Sequence, residues 1–189
     1  MKHPRLLAFS GSLRAASYNQ KLVTLAASAA RDAGADVTLI SLRDFRMPLF
    51  DEDLETEEGM PESAQKLKAL FASHDGLIIA SPEYNSTITA ALKNAIDWVS
   101  RATSEDEKPL SVLSGKTAAI LSASPGGYGG SRSLTQLRPF LENIHIKVLP
   151  DQVSVAKAYE AFTEDGQLVD PDLAAAVKAL GEKLVASFA

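Results

Sequence analysis

The chain has 189 residues, 46% of them apolar and 23% charged, with a formal net charge of −5 and no cysteine. That length and balance suit one soluble α/β-sized domain with a sizeable core, and the absent cysteine excludes disulfides, thiol catalysis, iron–sulfur ligation and cysteine-bound zinc. The negative charge gives a nucleic-acid role little support, so any anion site must be local. The apolar runs are far too short to span a bilayer. The basic stretch Met1-Lys2-His3-Pro4-Arg5 precedes only a strand-length apolar run, too short for a signal peptide. A cytoplasmic protein is therefore expected.

Taken in chain order, the pattern predicts a strand over 5–9, then the loop Ser10-Gly11-Ser12-Leu13-Arg14-Ala15-Ala16-Ser17-Tyr18-Asn19. A helix follows at once, with Tyr18, Leu22, Leu25 and Ala29 on one stripe of the 3.6-residue period. A second strand is expected over 36–41. The acidic segment Asp51–Gly59 reads as a solvated loop, or as a lid over a cofactor. Pro61 suits the first position of a helix whose apolar stripe is Leu67, Leu70 and Phe71. The third strand, over 75–81, leads to a helix from about Thr87 to Arg101, and Ser104–Pro109 reads as another solvated loop. The fourth strand, over 117–123, precedes a helix over Ser131–Asn143 with a kink expected at Pro139. A short strand over 147–149 and a last helix carrying Leu173, Val177, Leu180, Leu184 and Phe188 complete the chain.

Runs such as Gly76-Leu77-Ile78-Ile79-Ala80 and Ala118-Ala119-Ile120-Leu121 are continuously apolar, as parallel strands buried on both faces require. Strands alternating with helices indicate a doubly wound α/β sheet in a single domain over 1–189. In such a sheet ligands bind beyond the carboxyl ends of the strands.

Three loops leave strands at that edge. The first places hydroxyls, an amide, Arg14 and backbone N–H groups at the mouth of a helix. A helix N-terminus carries unsatisfied donors and partial positive charge, and Arg14 can add a charge-assisted pair to a phosphate. Ser17 or Asn19 could equally serve as a plain helix cap. The second loop is Ser81-Pro82-Glu83-Tyr84-Asn85-Ser86-Thr87, where Pro82 stiffens the turn, Tyr84 offers a flat face and Asn85 offers donor and acceptor. Tyr84 packed on the core is the plainer alternative. The third loop, Ser122-Ala123-Ser124-Pro125-Gly126-Gly127-Tyr128-Gly129-Gly130-Ser131-Arg132, lets backbone approach a flat ligand closely. A phosphate at one end and a planar, hydrogen-bonding surface at the other have the shape of flavin mononucleotide.

Other chemistries find no support. Leu13 stands where a G-x-G-x-x-G loop needs its second glycine, no G-K-[ST] follows, and there is no G-x-S-x-G. His3, His74 and His145 are scattered without metal-ligand spacing, so no metal is expected. Glu83 is well placed, but a lone glutamate makes no acid–base pair.

Gly11-Ser12-Leu13-Arg14, Ser17 and Asn19, then Pro82-Glu83-Tyr84-Asn85 with Leu92-Lys93-Asn94-Ala95-Ile96-Asp97-Trp98, then Ser124-Pro125-Gly126 with Gly129, Gly130 and Arg132, together resemble the NADPH-dependent FMN reductase family. The resemblance covers roughly residues 4 to 150. It implies a flavodoxin-like three-layer sandwich with strand order 2-1-3-4-5, bound FMN, NADPH or NADH as co-substrate, and homodimers or homotetramers. It implies that Ser12, Arg14, Ser17 and Asn19 hold the FMN phosphate. Pro82, Glu83, Tyr84 and Asn85 would line the ribityl and ring, Ser124, Gly126 and Gly127 would approach the ring, and Tyr128 would rim the acceptor side. Leu92 to Trp98 would form a helix at a subunit interface, with core burial of Trp98 as the alternative. The family commonly carries proline where Thr89 stands; threonine can still open a helix.

The expected activity is hydride transfer from NAD(P)H to bound FMN, then electron delivery to a quinone, azo, flavin or metal-oxyanion acceptor at the same face. The flavin carries that chemistry, so no catalytic side chain is assigned. A flavodoxin-type electron carrier, with no nicotinamide turnover, is the alternative.

Overall fold

The computed structural model describes residues 3–189; Met1 and Lys2 of the basic N-terminal stretch lie outside them. Five parallel strands form one sheet: β1 (Arg5–Ser10), β2 (Asp36–Ser41), β3 (Gly76–Ala80), β4 (Thr117–Ala123) and β5 (Lys147–Val155). Their order is β2-β1-β3-β4-β5, the expected 2-1-3-4-5. The apolar runs explain why β3 and β4 sit inside: every residue of both is buried.

Alternation along each strand feeds two separate cores. Leu6, Ala8, Ile78, Ala80, Ala119 and Leu121 point to the face covered by α1 (Tyr18–Asp32) and α7 (Pro171–Ala186). Leu7, Phe9, Leu77, Ile79, Ala118 and Ile120 point to the face covered by α3 (Glu62–Ser73), α4 (Ala90–Val99) and α5 (Ser131–Asn143). The result is three layers, helices on both sides of a sheet. Gly181 lets α7 press onto α1, since a Cβ there would lie 2.8 Å from the Ala26 carbonyl oxygen. On the other face Phe9 and Phe71 meet with ring centroids 5.6 Å apart. Trp98 is fully buried, donates from Nε1 to the Pro48 carbonyl at 2.9 Å and meets Phe50 edge-on. Of the two readings for Trp98, core burial within its own chain holds.

Several boundaries differ from expectation, each for a local reason. The acidic segment is a short helix, α2 (Glu52–Glu58), not a loop. Asp51 caps it by accepting from the Asp53 N–H, and acidic residues in a first turn suit the helix dipole. Arg101 then anchors it through Nε and Nη2 to Glu55. Glu107, in the second stretch read as solvated, turns inward to the buried Lys68 at 2.6 Å. The last strand runs on to Val155, because two extra residues bulge out between the pairs Ala118–Val148 and Ile120–Gln152. Pro150 sits in that stretch of an edge strand, where a missing N–H is tolerated. α3 starts at Glu62 with Pro61 as its cap, α4 starts at Ala90 with Thr89 as its cap, and α5 runs through Pro139 as one helix. A four-residue helix, α6 (Ala158–Ala161), was not anticipated. Among the described residues no helix is long and apolar enough to cross a membrane.

Candidate flavin site at the carboxyl rim

The first rim loop is fastened from below at several points. Gly11 donates to the Ala80 carbonyl at 2.9 Å, so the loop starts tied to β3. Thr89 Oγ1 donates to the Gly11 carbonyl at 2.6 Å. Ser12 Oγ accepts from the Arg14 N–H at 3.2 Å, and Ser17 Oγ accepts from the Gln20 N–H at 3.3 Å as the N-cap of α1. Each hydroxyl oxygen accepts a backbone donor and keeps its own proton to give. Arg14 is exposed, with its guanidinium carbon 5.1 Å from the centre of the Tyr18 ring, which in turn stacks on Phe162 at 6.0 Å. Tyr18 reads in the sequence only as part of an apolar stripe; Arg14 lies in the loop before α1, so no helical spacing marks their contact.

Asn19 plays a different part from the one expected by resemblance. Its Nδ2 donates to the Ala123 carbonyl at 2.7 Å and its Oδ1 accepts the Ala123 N–H at 2.9 Å. Both ends of the amide are thus spent tying α1 to the end of β4. Asn19 still lines the cavity, but it holds the frame rather than offering a free donor.

The second loop is a tight hairpin turn. Tyr84 and Thr87 exchange backbone hydrogen bonds at 3.0 and 3.1 Å, and the two residues between them take φ 53° at Asn85 and φ 66° at Ser86. Two left-handed residues in a row make a primed turn, which Asn accommodates readily. The third loop closes on Gly130, which has φ 81° and begins α5. A side chain there would collide with Ser122 Oγ, whose hydroxyl donates to the Ser81 carbonyl at 2.7 Å beneath it. Arg132, in the first turn of α5, donates from Nε to Glu83 Oε1 at 2.7 Å and lies 4.8 Å from the Tyr128 ring centre. That pairing with Glu83 raises the Arg132 pKa.

These loops enclose a cavity of about 330 Å³ lined by Ser12, Arg14, Ser17, Tyr18, Asn19, Pro82, Glu83, Tyr84, Ala123, Ser124 and Pro125. Eight of the expected site residues therefore meet in one place. Asn85, Gly126 and Gly127 stand at its margin, outside the lining. Tyr18, Ala123 and Pro125 were not expected there. Tyr84 is 54% exposed, so it is not packed into the core.

The residues present fit FMN on three counts. The α1 N-terminus, Arg14 and two hydroxyls form an anion site at one end. A Cβ on Gly127 would meet nothing within 4 Å, so the third loop leaves open space at the cavity margin that a flat ligand could fill. Glu83 Oε2 is buried without a hydrogen-bond partner, an acceptor waiting for a donor.

A larger hollow, about 920 Å³, lies among α2, α3 and the segment after α4. Its charges are already matched, Arg101 with Glu55 and Lys68 with Glu107. Lys68 and the Thr103 N–H hold the Glu107 pKa down to about 2. Such internally paired groups make a structural seam. Among the described residues no group of three His, Asp or Glu is placed to hold a metal ion.

Comparison with known proteins agrees with the geometry. A family model described as NADPH-dependent FMN reductase matches residues 4–160. The chain is 35% identical over 167 residues to an NAD(P)H-dependent FMN reductase of Pseudomonas aeruginosa, covering 88% of this chain and 85% of that one. It is 34% identical over 174 residues to a probable NADPH:quinone oxidoreductase of rice, covering 89% of this chain and 81% of the relative. Among solved structures it is similar to FerB, a flavoenzyme NAD(P)H:(acceptor) oxidoreductase from Paracoccus denitrificans. There the TM-score is 0.77 at 25% identity, covering 97% of this chain and 96% of that one. With strand order, rim loops and matched residues all in accord, the chain belongs to the NADPH-dependent FMN reductase family.

Proposed function

We propose that the rim cavity holds FMN, with its phosphate at Ser12, Arg14 and Ser17 and its ring between the second and third loops, and that the enzyme is an NAD(P)H-dependent oxidoreductase delivering electrons to a quinone-class acceptor. The chemistry such a flavin supplies is hydride uptake from NADPH or NADH and electron delivery to a small molecule. The chain's own part is to bind and orient. Arg14 offsets the phosphate charge, and the hydroxyls of Ser12 and Ser17 donate to phosphate oxygens. Asn19 fixes the spacing between the first and third loops. Pro82, Glu83 and Tyr84 wall one side, with Asn85 turning the chain at their edge. Ser124, Gly126 and Gly127 supply a low surface on the other side. Tyr128, 68% exposed, stands at the rim where nicotinamide and acceptor would bind in turn.

The observation that carries this reading is the convergence of the α1 N-terminus, Arg14 and the two side walls on one cavity. The names of the relatives favour quinones over azo dyes, free flavin or metal oxyanions as acceptors. One flavodoxin-like domain, a homodimeric or homotetrameric assembly and a cytoplasmic location complete the proposal. Exposed Leu13 and Leu49, at 53% and 76%, offer apolar area for self-association.

The test is an absorbance spectrum of the purified protein followed by anaerobic titration with NADPH and NADH. A yellow protein bleached by either is expected. A colourless protein that takes up no added FMN refutes the reading, and a flavin that neither nucleotide bleaches points to an electron carrier.

A further inference from the structure

Arg14 is held by a ring rather than by hydrogen bonds. Its guanidinium carbon lies 5.1 Å from the centre of the Tyr18 ring, and among the described residues no carboxylate or carbonyl takes its side-chain donors. Arg132 at the same rim is the contrast, since Glu83 Oε1 takes its Nε at 2.7 Å. A stacked guanidinium keeps its fork of N–H groups available to an anion; a paired one does not.

Tyr18 is steadied in turn from a segment far along the chain. Its ring stacks on Phe162 at 6.0 Å with 12° between the planes. Phe162 opens a small hairpin over 162–168, where it bridges to Leu168. The Thr163 N–H donates to the Gln167 carbonyl at 2.9 Å, and the Gln167 N–H donates to Thr163 Oγ1 at 3.0 Å, so the hairpin is closed on itself. It is also seated on α1. Lys21 Nζ lies 5.9 Å from the Phe162 ring centre, and a Cβ on Gly166 at the tip would lie 3.8 Å from Lys21 Cδ. Phe162 does not line the rim cavity, and it lies past residue 160, where the family match ends.

We propose that Phe162 is a positioning residue for phosphate recognition: it fixes Tyr18, and Tyr18 fixes Arg14 where the phosphate arrives, with every side-chain donor still free. This rests on the reading of the cavity as the FMN site. An arginine left to swing loses that freedom only when the ligand binds, which weakens binding; one already laid against a braced ring does not. Phe162 acts through Tyr18 alone, so its effect falls on the phosphate and not on the flavin ring.

The experiment is equilibrium binding of FMN and of riboflavin, which lacks the phosphate, to flavin-free protein, read by flavin fluorescence. Phe162→Leu keeps an apolar side chain and removes the stack. FMN affinity should fall about 3- to 10-fold, the cost of ordering one rotamer-rich side chain on binding, while riboflavin affinity stays at the wild-type value. In an Arg14→Ala background Phe162→Leu should cost FMN nothing further. Phe162→Tyr, which keeps the ring, should bind FMN as wild type does. Tyr18→Leu removes the middle ring without altering the hairpin, and decides the matter by the same pattern if Phe162→Leu does not fold. A smaller loss of FMN affinity overturns this inference while leaving the function standing. So does an equal loss for riboflavin, or a loss that adds in full to that of Arg14→Ala. Wild-type protein that binds no FMN removes both readings.

Discussion

Replacing Thr89 by valine tests whether the first rim loop is held by the helix behind it. Thr89 is 1% exposed and makes two hydrogen bonds through one oxygen. Oγ1 donates to the Gly11 carbonyl at 2.6 Å and accepts from the Leu92 N–H at 3.1 Å. Valine keeps the volume and removes both. Loss of an N-cap costs about 1 kcal/mol. The Gly11 carbonyl, left in a buried site without its donor, adds about 1–3 kcal/mol. The sum, roughly 2–4 kcal/mol, is a large part of the stability of a domain this size. Urea unfolding of the flavin-free protein should show that fall as a lower midpoint at an unchanged slope. Thr89→Ser, which keeps the hydroxyl, should lose much less. FMN affinity should drop in Thr89→Val as well, because Gly11 leads into Ser12 and Arg14. A Thr89→Val protein within about 0.5 kcal/mol of wild type would refute the idea that this hydroxyl braces the loop.

Arg14→Ala should weaken FMN binding about 10- to 100-fold while leaving riboflavin binding nearly unchanged, since only the phosphate contact is lost; parallel fluorescence titrations check this. Gly130→Ala should destabilise the protein by more than 1–2 kcal/mol, the left-handed cost alone, because its methyl also meets Ser122 Oγ; thermal melting reads the loss. The Glu107 carboxyl has its folded pKa lowered from 4.5 to about 2, so its pairing with Lys68 contributes above pH 4.5 and is lost as pH falls through about 2. Glu107→Gln should therefore be less stable than wild type at neutral pH and should lose less stability on acidification, measured as urea midpoints from pH 6 to pH 2.5.

The sheet and the site were legible in the sequence to different depths. Apolar runs located β1, β3 and β4, because a strand buried on both faces has no room for polar residues; the edge strands β2 and β5 are partly exposed and left shorter apolar traces. The boundaries that slipped depend on contacts distant in sequence. α2 has no buried residue, so its composition carries no apolar stripe; its cap at Asp51 and its tie to Arg101 only become visible in the fold. β5 looked short because Pro150 and Asp151 interrupt its run, and nothing local says that they bulge outward and pairing resumes at Gln152. Of the cavity lining, Ser12, Arg14 and Pro82 followed from loop chemistry, and Ser124 from the family resemblance. The commitment of Asn19 to Ala123 followed from neither, since it joins residues 104 apart. The Glu83–Arg132 pair spans 49 residues and was hidden for the same reason.

The amide of Asn19 has one more consequence. By bonding both backbone groups of Ala123 it behaves like a short piece of an extra strand, riveting the mouth of one crossover to the end of another. The receptacle is then shaped before anything enters it. Less ordering at this junction should then accompany flavin uptake, and limited proteolysis of flavin-free protein should spare it.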